Sequence, residues 1–335
     1  MAVLLTGGAG FIGSHICVEL LDRGEDIILL DNYHNSKREV PGIIKEITGR
    51  DFPVYEADIL DEPALRAVFK ENAVEAVIHL AGLKAVGESV SRPLAYYENN
   101  IIGSIRLLRV MDDFACRRIV FSSSATVYGA DAPVPYREGF PVSAANPYGW
   151  TKLFVERIIQ DTRAADPSWS AAILRYFNPV GAHGSGLIGE DPEDIPNNLM
   201  PRIAKVATGE LPALTVYGGD YETPDGTGVR DYIHISDLAA GHRSALDHIR
   251  ENSSCEVVNL GTGKGYSVLE MLRAYEKACG KPLSYTVSPR RPGDIAAYYA
   301  DVSYARELLG WEAKLGLDDM CASSWKFMYN KMSRS

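Results

Sequence analysis

A chain of 335 residues, 46% of them hydrophobic, is long enough for a large core in two domains or lobes and too apolar to be disordered. A net charge of −10 with no block of like charge argues against a nucleic-acid partner, whose footprint on a protein is basic, yet a few placed Arg residues suffice to hold a phosphate. Five scattered cysteines (Cys17, Cys116, Cys255, Cys279 and Cys321) fit buried thiols in a reducing compartment, and neither they nor the seven histidines have metal spacing, so no metal is expected.

The run from Met1 to Thr6 reads as a buried strand. Thr6-Gly7-Gly8-Ala9-Gly10-Phe11-Ile12-Gly13-Ser14-His15 follows, after which Ile12, Ile16 and Leu20 recur at helical spacing as far as Gly24. Asp26 to Asp31 is a second buried strand. Strand, Gly-rich turn, helix and strand within about thirty residues is the context a dinucleotide fingerprint requires. Glycines let the backbone approach a pyrophosphate, and free amides at the helix start bind it. A purely structural Gly-rich turn is the plainer alternative. Asp31, ending its strand, suits the adenosine ribose diol and favours NAD over the 2′-phosphorylated form.

The alternation continues with strands at Pro53–Ala57, Val74–Leu80, Arg117–Phe121 and Ser170–Arg175. Helices are expected at Glu62–Lys70, at Pro93–Phe114, and from Pro147 to about Thr162. Such an order implies an α/β fold with a Rossmann-type, doubly wound parallel sheet. Ligands of such sheets sit at the carboxyl ends of the strands, where Gly7, Asp31, Asp58, Ala81, Ser124 and Phe177 fall. Asn146 reads as a helix cap and Pro147 as the first helical residue, so Tyr148 lies in the first turn with Lys152 one turn on, on the same face. An ammonium and a helix start both favour a phenolate, which would make Tyr148 a base near neutrality. An amphipathic helix with a surface Tyr and Lys is the bland alternative.

Beyond Phe177 the rhythm changes, and 178–196 is rich in Gly, Pro, Asp and Asn. Helices are expected at Asn197–Gly209, Ser236–Ile249, Ser267–Cys279, Tyr304–Leu309 and Leu317–Met332, with strands at Leu214–Tyr217, Asp231–Ile235 and Glu256–Leu260. The expected division is a dinucleotide-binding domain over 1–176 and a smaller mixed α/β substrate-binding lobe over 177–335, with about 231–260 packing back on the first domain. No signal peptide and no membrane-length apolar run is seen, so the expectation is a cytoplasmic protein with no membrane contact.

With the Gly turn, Ser124, Tyr148 and Lys152 in view, the chain resembles the extended short-chain dehydrogenase/reductase family, and within it the UDP-glucose 4-epimerases (UDP-galactose 4-epimerases). The stretches that carry this are TGGAGFIGSH at 6–15, LDNYHNSKR at 30–38, HLAGLKAVGESV at 79–90, FSSSATVYG at 121–129, LRYFNPVGAH at 174–183, GEDPEDIPNNLMP at 189–201, DGTGVRDYIH at 225–234 and PRRPGD at 289–294.

The resemblance implies an isomerase of galactose metabolism with tightly bound, recycled NAD and UDP-galactose or UDP-glucose as substrate. In it Tyr148 takes the proton of the sugar 4-hydroxyl as hydride passes to the nicotinamide. Ser124 holds the same oxygen, and Lys152 grips the nicotinamide ribose and lowers the Tyr pKa. The 4-keto sugar then turns its other face to receive the hydride back.

Around the cofactor the resemblance places Gly7, Gly10, Phe11, Ile12, Gly13, Asp31, Asn32, Asn35, Ser36, Asp58, Ile59, Leu80, Ala81, Gly82, Lys84, Asn99, Ser122 and Phe177, with Tyr148 and Lys152. Around the substrate it places Lys84, Ala85, Val86, Phe177, Asn178, Asn197, Asn198, Leu199, Thr215, Val216, Tyr217, Arg230, Arg291, Asp294 and Tyr298, with Ser124 and Tyr148. Arg230 and Arg291 suit a diphosphate, which Arg binds bidentately, although Arg291 also fits a loop ion pair and Phe177 also fits simple core. The bulk of Tyr298 favours plain over N-acetylated sugars. Trp150 is an unusual residue between the Tyr and the Lys and is expected to point away from the site. The family also implies a homodimer through helices near 93–114 and 148–162.

Two other functions share these features. A nucleotide-sugar 4,6-dehydratase needs acids after Ser124, where this chain has Ala125 and Thr126. A non-enzymatic NAD-sensing regulator need not keep Ser124, Tyr148 and Lys152 together.

Overall fold

The computed structural model describes residues 1–129, 132–192, 196, 198–291 and 293–334. The chain opens with β1 (Ala2–Thr6), α1 (Phe11–Asp22), β2 (Ile27–Asp31), α2 (Val40–Thr48), β3 (Val54–Glu56), α3 (Glu62–Glu71) and β4 (Val74–His79). There follow α4 (Val86–Ser91), α5 (Pro93–Tyr97), a π-helical turn (Glu98–Ile102), α6 (Gly103–Asp113), β5 (Arg118–Ser124), a 3₁₀ turn (Ala125–Val127), α7 (Pro147–Ala165) and β6 (Ser170–Tyr176). The remainder is β7 (Asn178–Val180), α8 (Leu199–Thr208), β8 (Leu214–Tyr217), β9 (Val229–His234), α9 (Ile235–Glu251) and β10 (Cys255–Leu260), then β11 (Gly265–Ser267), α10 (Val268–Cys279), β12 (Tyr285–Ser288), β13 (Ala297–Tyr298), α11 (Ser303–Leu309) and α12 (Leu317–Arg334).

Seven parallel strands form the central sheet in the order β10-β6-β5-β4-β1-β2-β3. Side chains alternate across a strand, and β1 shows the consequence. Val3 and Leu5 join the core under α1 and α9, whereas Leu4 faces the core under α3, α6 and α7. β10, late in the chain, closes the edge beside β6 with Cys255 opposite Ala171 and Leu260 opposite Tyr176. A third core lies among α8, β8, α10 and α12. A fourth, small and aromatic, gathers Tyr128, Tyr136 and Phe177 with Ala125 and Ala300.

Several expectations change in detail. Helix α2 was not anticipated, because Pro41 and Gly42 mask its pattern; Ile44 is nevertheless fully buried. The single helix expected over 93–114 is two α segments joined by the π turn. The irregular stretch after Phe177 contains β7, which pairs with β9, and the short strands β11, β12 and β13 were not foreseen. These four strands, of two to four residues each, show too little alternation to be read. Among the described residues, no helix is long and apolar enough to cross a membrane.

Four histidines are buried: His15, His79, His234 and His242. Burial pushes His15 and His79 down to about 3, and His234 and His242 down to about 4. Unfolded imidazoles titrate near 6.5, so the unfolded chain takes up these protons first as the pH falls. The stability their neutral forms confer is complete above about pH 6.5 and is lost progressively toward pH 4 and 3. Denaturant midpoints measured from pH 7 down to 4 are expected to fall steadily, and a flat profile would contradict neutral, buried imidazoles.

Candidate active site

The carboxyl end of β1 turns through Gly7, whose φ of +72° a side chain rarely adopts. A Cβ on Gly7 would lie 2.8 Å from the Ala81 amide nitrogen, and one on Gly13 would lie 2.3 Å from the Gly7 carbonyl oxygen. The turn is therefore packed to backbone contact against the loop after β4. Gly10 caps α1 without any side-chain hydrogen bond, leaving the helix start to an outside acceptor. Phe11 and Ile12 open the helix, partly buried against the core.

Asp31 ends β2 and is held by three donors. Its Oδ2 accepts from the Ala9 amide at 2.9 Å, and its Oδ1 accepts from the Tyr33 amide at 2.9 Å and from Ser36 Oγ at 2.8 Å. A carboxylate offers about four acceptor positions, so one remains for an incoming hydroxyl. Asn32 donates to Asp58 at 2.8 Å, tying the loop after β2, which also holds Asn35, to the loop containing Asp58 and buried Ile59. A glycine turn, an uncapped helix start and a fixed acid at the next strand end fit a dinucleotide without a 2′-phosphate.

Asn146 caps α7 by accepting from the Gly149 amide at 2.9 Å, and Pro147 occupies the first turn, as expected. Tyr148 therefore faces the end of β5, where the Ser124 hydroxyl acts on the phenol and favours its ionised form. Ser124 Oγ accepts from both the Thr126 amide at 3.2 Å and Thr126 Oγ1 at 3.0 Å. A hydroxyl has two acceptor positions and one proton, so Ser124 is left to donate to the Tyr148 oxygen. Thr126, which stands where a dehydratase would need an acid, thus orients the serine.

Lys152 is buried one turn below, 5.8 Å from the centre of the Tyr148 ring, and its Nζ donates to the Ser122 carbonyl at 2.7 Å. Burial pushes Lys152 down to about 8, with Glu156 opposing it. Burial also pushes the Tyr148 phenol up to about 12, against the Ser124 hydrogen bond. This reverses the direction expected from the Tyr–Lys spacing alone. The protein by itself desolvates the phenol more than the neighbouring ammonium, committed to Ser122, ionises it.

Asn100, missed in the sequence, joins the two sides of the site from the π turn. Its Oδ1 accepts from the Leu83 amide at 2.8 Å and from Asn99 at 2.9 Å, and its Nδ2 donates to the Leu83 carbonyl at 3.0 Å and to Thr151 Oγ1 at 2.9 Å. Thr151 in turn donates to the Tyr148 carbonyl at 2.7 Å. No local pattern singles out Asn100, which follows Glu98 and Asn99 in a mixed polar and apolar stretch. The loop at Leu80, Ala81 and Gly82 is thereby tied to the helix that carries Tyr148.

Residues beyond β6 supply the outer groups. Arg230 and Arg291 converge on Asp294, at 3.7 Å and 2.8 Å, and the Arg291 guanidinium lies 4.9 Å from the centre of the Tyr217 ring. The loop ion pair considered for Arg291 therefore exists, while the pair of guanidinium groups still forms one cationic wall. Thr215 and Tyr217 alternate with Val216, which is buried in the third core, so only the backbone of Val216 is available to a ligand. Leu199 packs partly into the same core, and Asn198 caps α8. Asn178 lies in β7 opposite Tyr232, and Ala85 caps α4, with Val86 exposed beside it. Phe177 is buried with its ring 5.0 Å from that of Tyr298, as a core residue at the edge of the site. Trp150 stacks 5.6 Å from Phe154, along the outer face of α7. Asn197 lies outside the described residues. Among the described residues, no group of three or more His, Cys, Asp or Glu side chains is placed to hold a metal ion.

The sequence pattern of the NAD dependent epimerase/dehydratase family matches residues 3–261. The chain is 57% identical to a UDP-glucose 4-epimerase of Bacillus subtilis (strain 168) over 333 residues, which is 99% of this chain and 98% of that protein. It is 53% identical to the mouse (Mus musculus) UDP-glucose 4-epimerase, over 97% of this chain and 96% of that one. Its fold superposes with a TM-score of 0.95 on the Bifidobacterium longum UDP-glucose 4-epimerase in complex with NAD+ and UDP, at 54% identity and 99% coverage of both chains. With a nucleotide-binding turn, a Ser–Tyr–Lys cluster and full-length likeness all present, the chain belongs to the NAD dependent epimerase/dehydratase family.

Proposed function

We propose that this protein is an isomerase that interconverts UDP-galactose and UDP-glucose at carbon 4 through a 4-keto sugar, using bound NAD that it recycles. The observation that carries the reading is the Ser124–Tyr148–Lys152 cluster at the end of β5, beside a turn that fits NAD. When bound, NAD supplies a two-electron acceptor regenerated in each turnover and a positive charge beside the phenol.

The protein's own groups do the rest. Ser124 donates toward the oxygen that carries the moving proton, Tyr148 holds and returns that proton, and buried Lys152 keeps a cation within one turn of it. Arg230 and Arg291 anchor the diphosphate while the hexose turns, with Tyr217 beside Arg291. Residues 1–176 with the returning segment 231–260 hold the cofactor, and the rest of 177–335 holds the nucleotide sugar.

A dehydratase would need an acid after Ser124. Ala125 is buried and Thr126 is committed to Ser124. Incubation with UDP-galactose, without added NAD, is expected to give UDP-glucose of unchanged mass. Loss of water would identify a dehydratase, and no conversion even with NAD would favour a regulator.

Two copies pair through the apolar face that α4, α5 and α7 leave open, where Leu94 is 79% exposed and Val90, Ile102 and Phe154 accompany it. The compartment is the cytoplasm, in keeping with five free thiols.

Lys152→Ala removes the cation beside the phenol. The rising limb of the pH–rate profile is expected to move up by about one to three units. An unmoved profile would break the coupling between the two side chains.

A further inference from the structure

The sheet order places β1 between β4 and β2, so the Gly-rich turn lies between the loops that follow those two strands. Those loops carry Lys84 and Lys37. Neighbouring strands are about 5 Å apart, so the two loops stand roughly 10 Å from each other across the turn. Two consecutive acids from the second lobe span that gap. Glu190 faces Lys84 at 3.8 Å, and Asp191 pairs with Lys37.

Each acid is also held from its own side. Glu190 Oε1 accepts from Asn198 Nδ2 at 2.7 Å at the start of α8, and Asp191 Oδ1 accepts from Lys331 Nζ at 2.6 Å on α12. The preceding Gly189 lies so close to Phe327 that a Cβ would meet the ring at 2.6 Å. The strap is therefore seated on α12 at its root and paired with both walls of the turn at its tip. Burial raises Glu190 above the ordinary carboxylate range; burial works against the ionised form of Asp191 too, but Lys331 and Lys37 hold it below that range.

We propose that Glu190 and Asp191 form an ionic clasp across the Gly-rich turn that sets how slowly bound dinucleotide leaves. They are positioning residues: they hold the two cofactor-side loops together and do not take part in the chemistry. The inference rests on the NAD reading above and extends it to the cofactor's residence time.

Release of nicotinamide from the protein as purified, followed after rapid gel filtration into low or high salt, tests the clasp. The Glu190→Gln/Asp191→Asn variant is expected to release NAD about tenfold faster at low salt. The acceleration that salt produces in the unaltered protein should be largely lost in that variant, because the pairs it screens are already gone. Lys331→Met, on an exposed part of α12, removes the anchor and leaves the Lys37 pair in place; it is expected to speed release about threefold. Unchanged release from the loaded variants, or faster release with the salt effect intact, overturns the clasp alone. A purified protein holding no nicotinamide overturns the cofactor reading and the clasp with it.

Discussion

Tyr148→Phe is expected to lower turnover by about 10²–10⁴-fold, the range that a single acid–base group contributes. The substitution removes one oxygen and leaves α7 intact, because the cap at Asn146 and the Thr151 hydrogen bond to the Tyr148 carbonyl do not involve the phenol. The glycine turn and Asp31 are untouched, so NAD is expected to stay bound at full occupancy. What is lost is the acceptor to which Ser124 donates. The check is steady-state turnover with UDP-galactose beside nicotinamide content by absorbance. Full activity in the variant would end the assignment of Tyr148 as the proton carrier. Loss of NAD together with activity would move its role from chemistry to binding.

Arg175→Met is expected to cost stability rather than chemistry, by about 3–5 kcal/mol, the typical penalty for stranding one member of a buried ion pair. Arg175 and Glu156 are 5% and 2% exposed. Arg175 Nε and Nη2 reach the two carboxylate oxygens at 2.9 Å and 2.6 Å, in a fork that Ser123 completes. The guanidinium also lies 4.9 Å from the centre of the Tyr128 ring and donates to the Glu138 carbonyl at 3.2 Å. Without it, the Glu156 carboxylate keeps the Ser123 hydroxyl and, as a neighbouring cation, Lys152 one turn earlier on α7. The thermal midpoint is expected to fall by about 5–10 °C. Replacing both partners, Glu156→Leu with Arg175→Met, should recover most of the loss, since two apolar groups leave no stranded charge. If the single variant unfolds at the unaltered temperature, the pair is not buried as described.

These two residues mark what could and could not be read along the chain. Tyr148 was legible because a cap, a proline and a four-residue spacing are all local. The partnership of Glu156 with Arg175 was not, because their meeting depends on how α7 crosses β6. Asp31 was legible as the end of a strand, but its three donors come from the preceding turn and the following loop. Strand alternation turns the Val216 side chain into the core and leaves its backbone to face a ligand, which the residue list alone did not say.

By itself the sequence determined the strands of the first half and most of the helices between them, the nucleotide turn, and the Tyr–Lys face, since periods of 3.6 and 2 and the needs of glycine are written in neighbouring residues. Only the tertiary structure decided that β10 closes the sheet beside β6, that β4 and β2 flank β1, and that residues 190 and 191 reach across to Lys84 and Lys37. The same holds for the ionisation of Tyr148, whose direction was set by burial and not by spacing. Contacts between residues far apart in the chain arise from which surfaces pack together, and no local pattern encodes that choice.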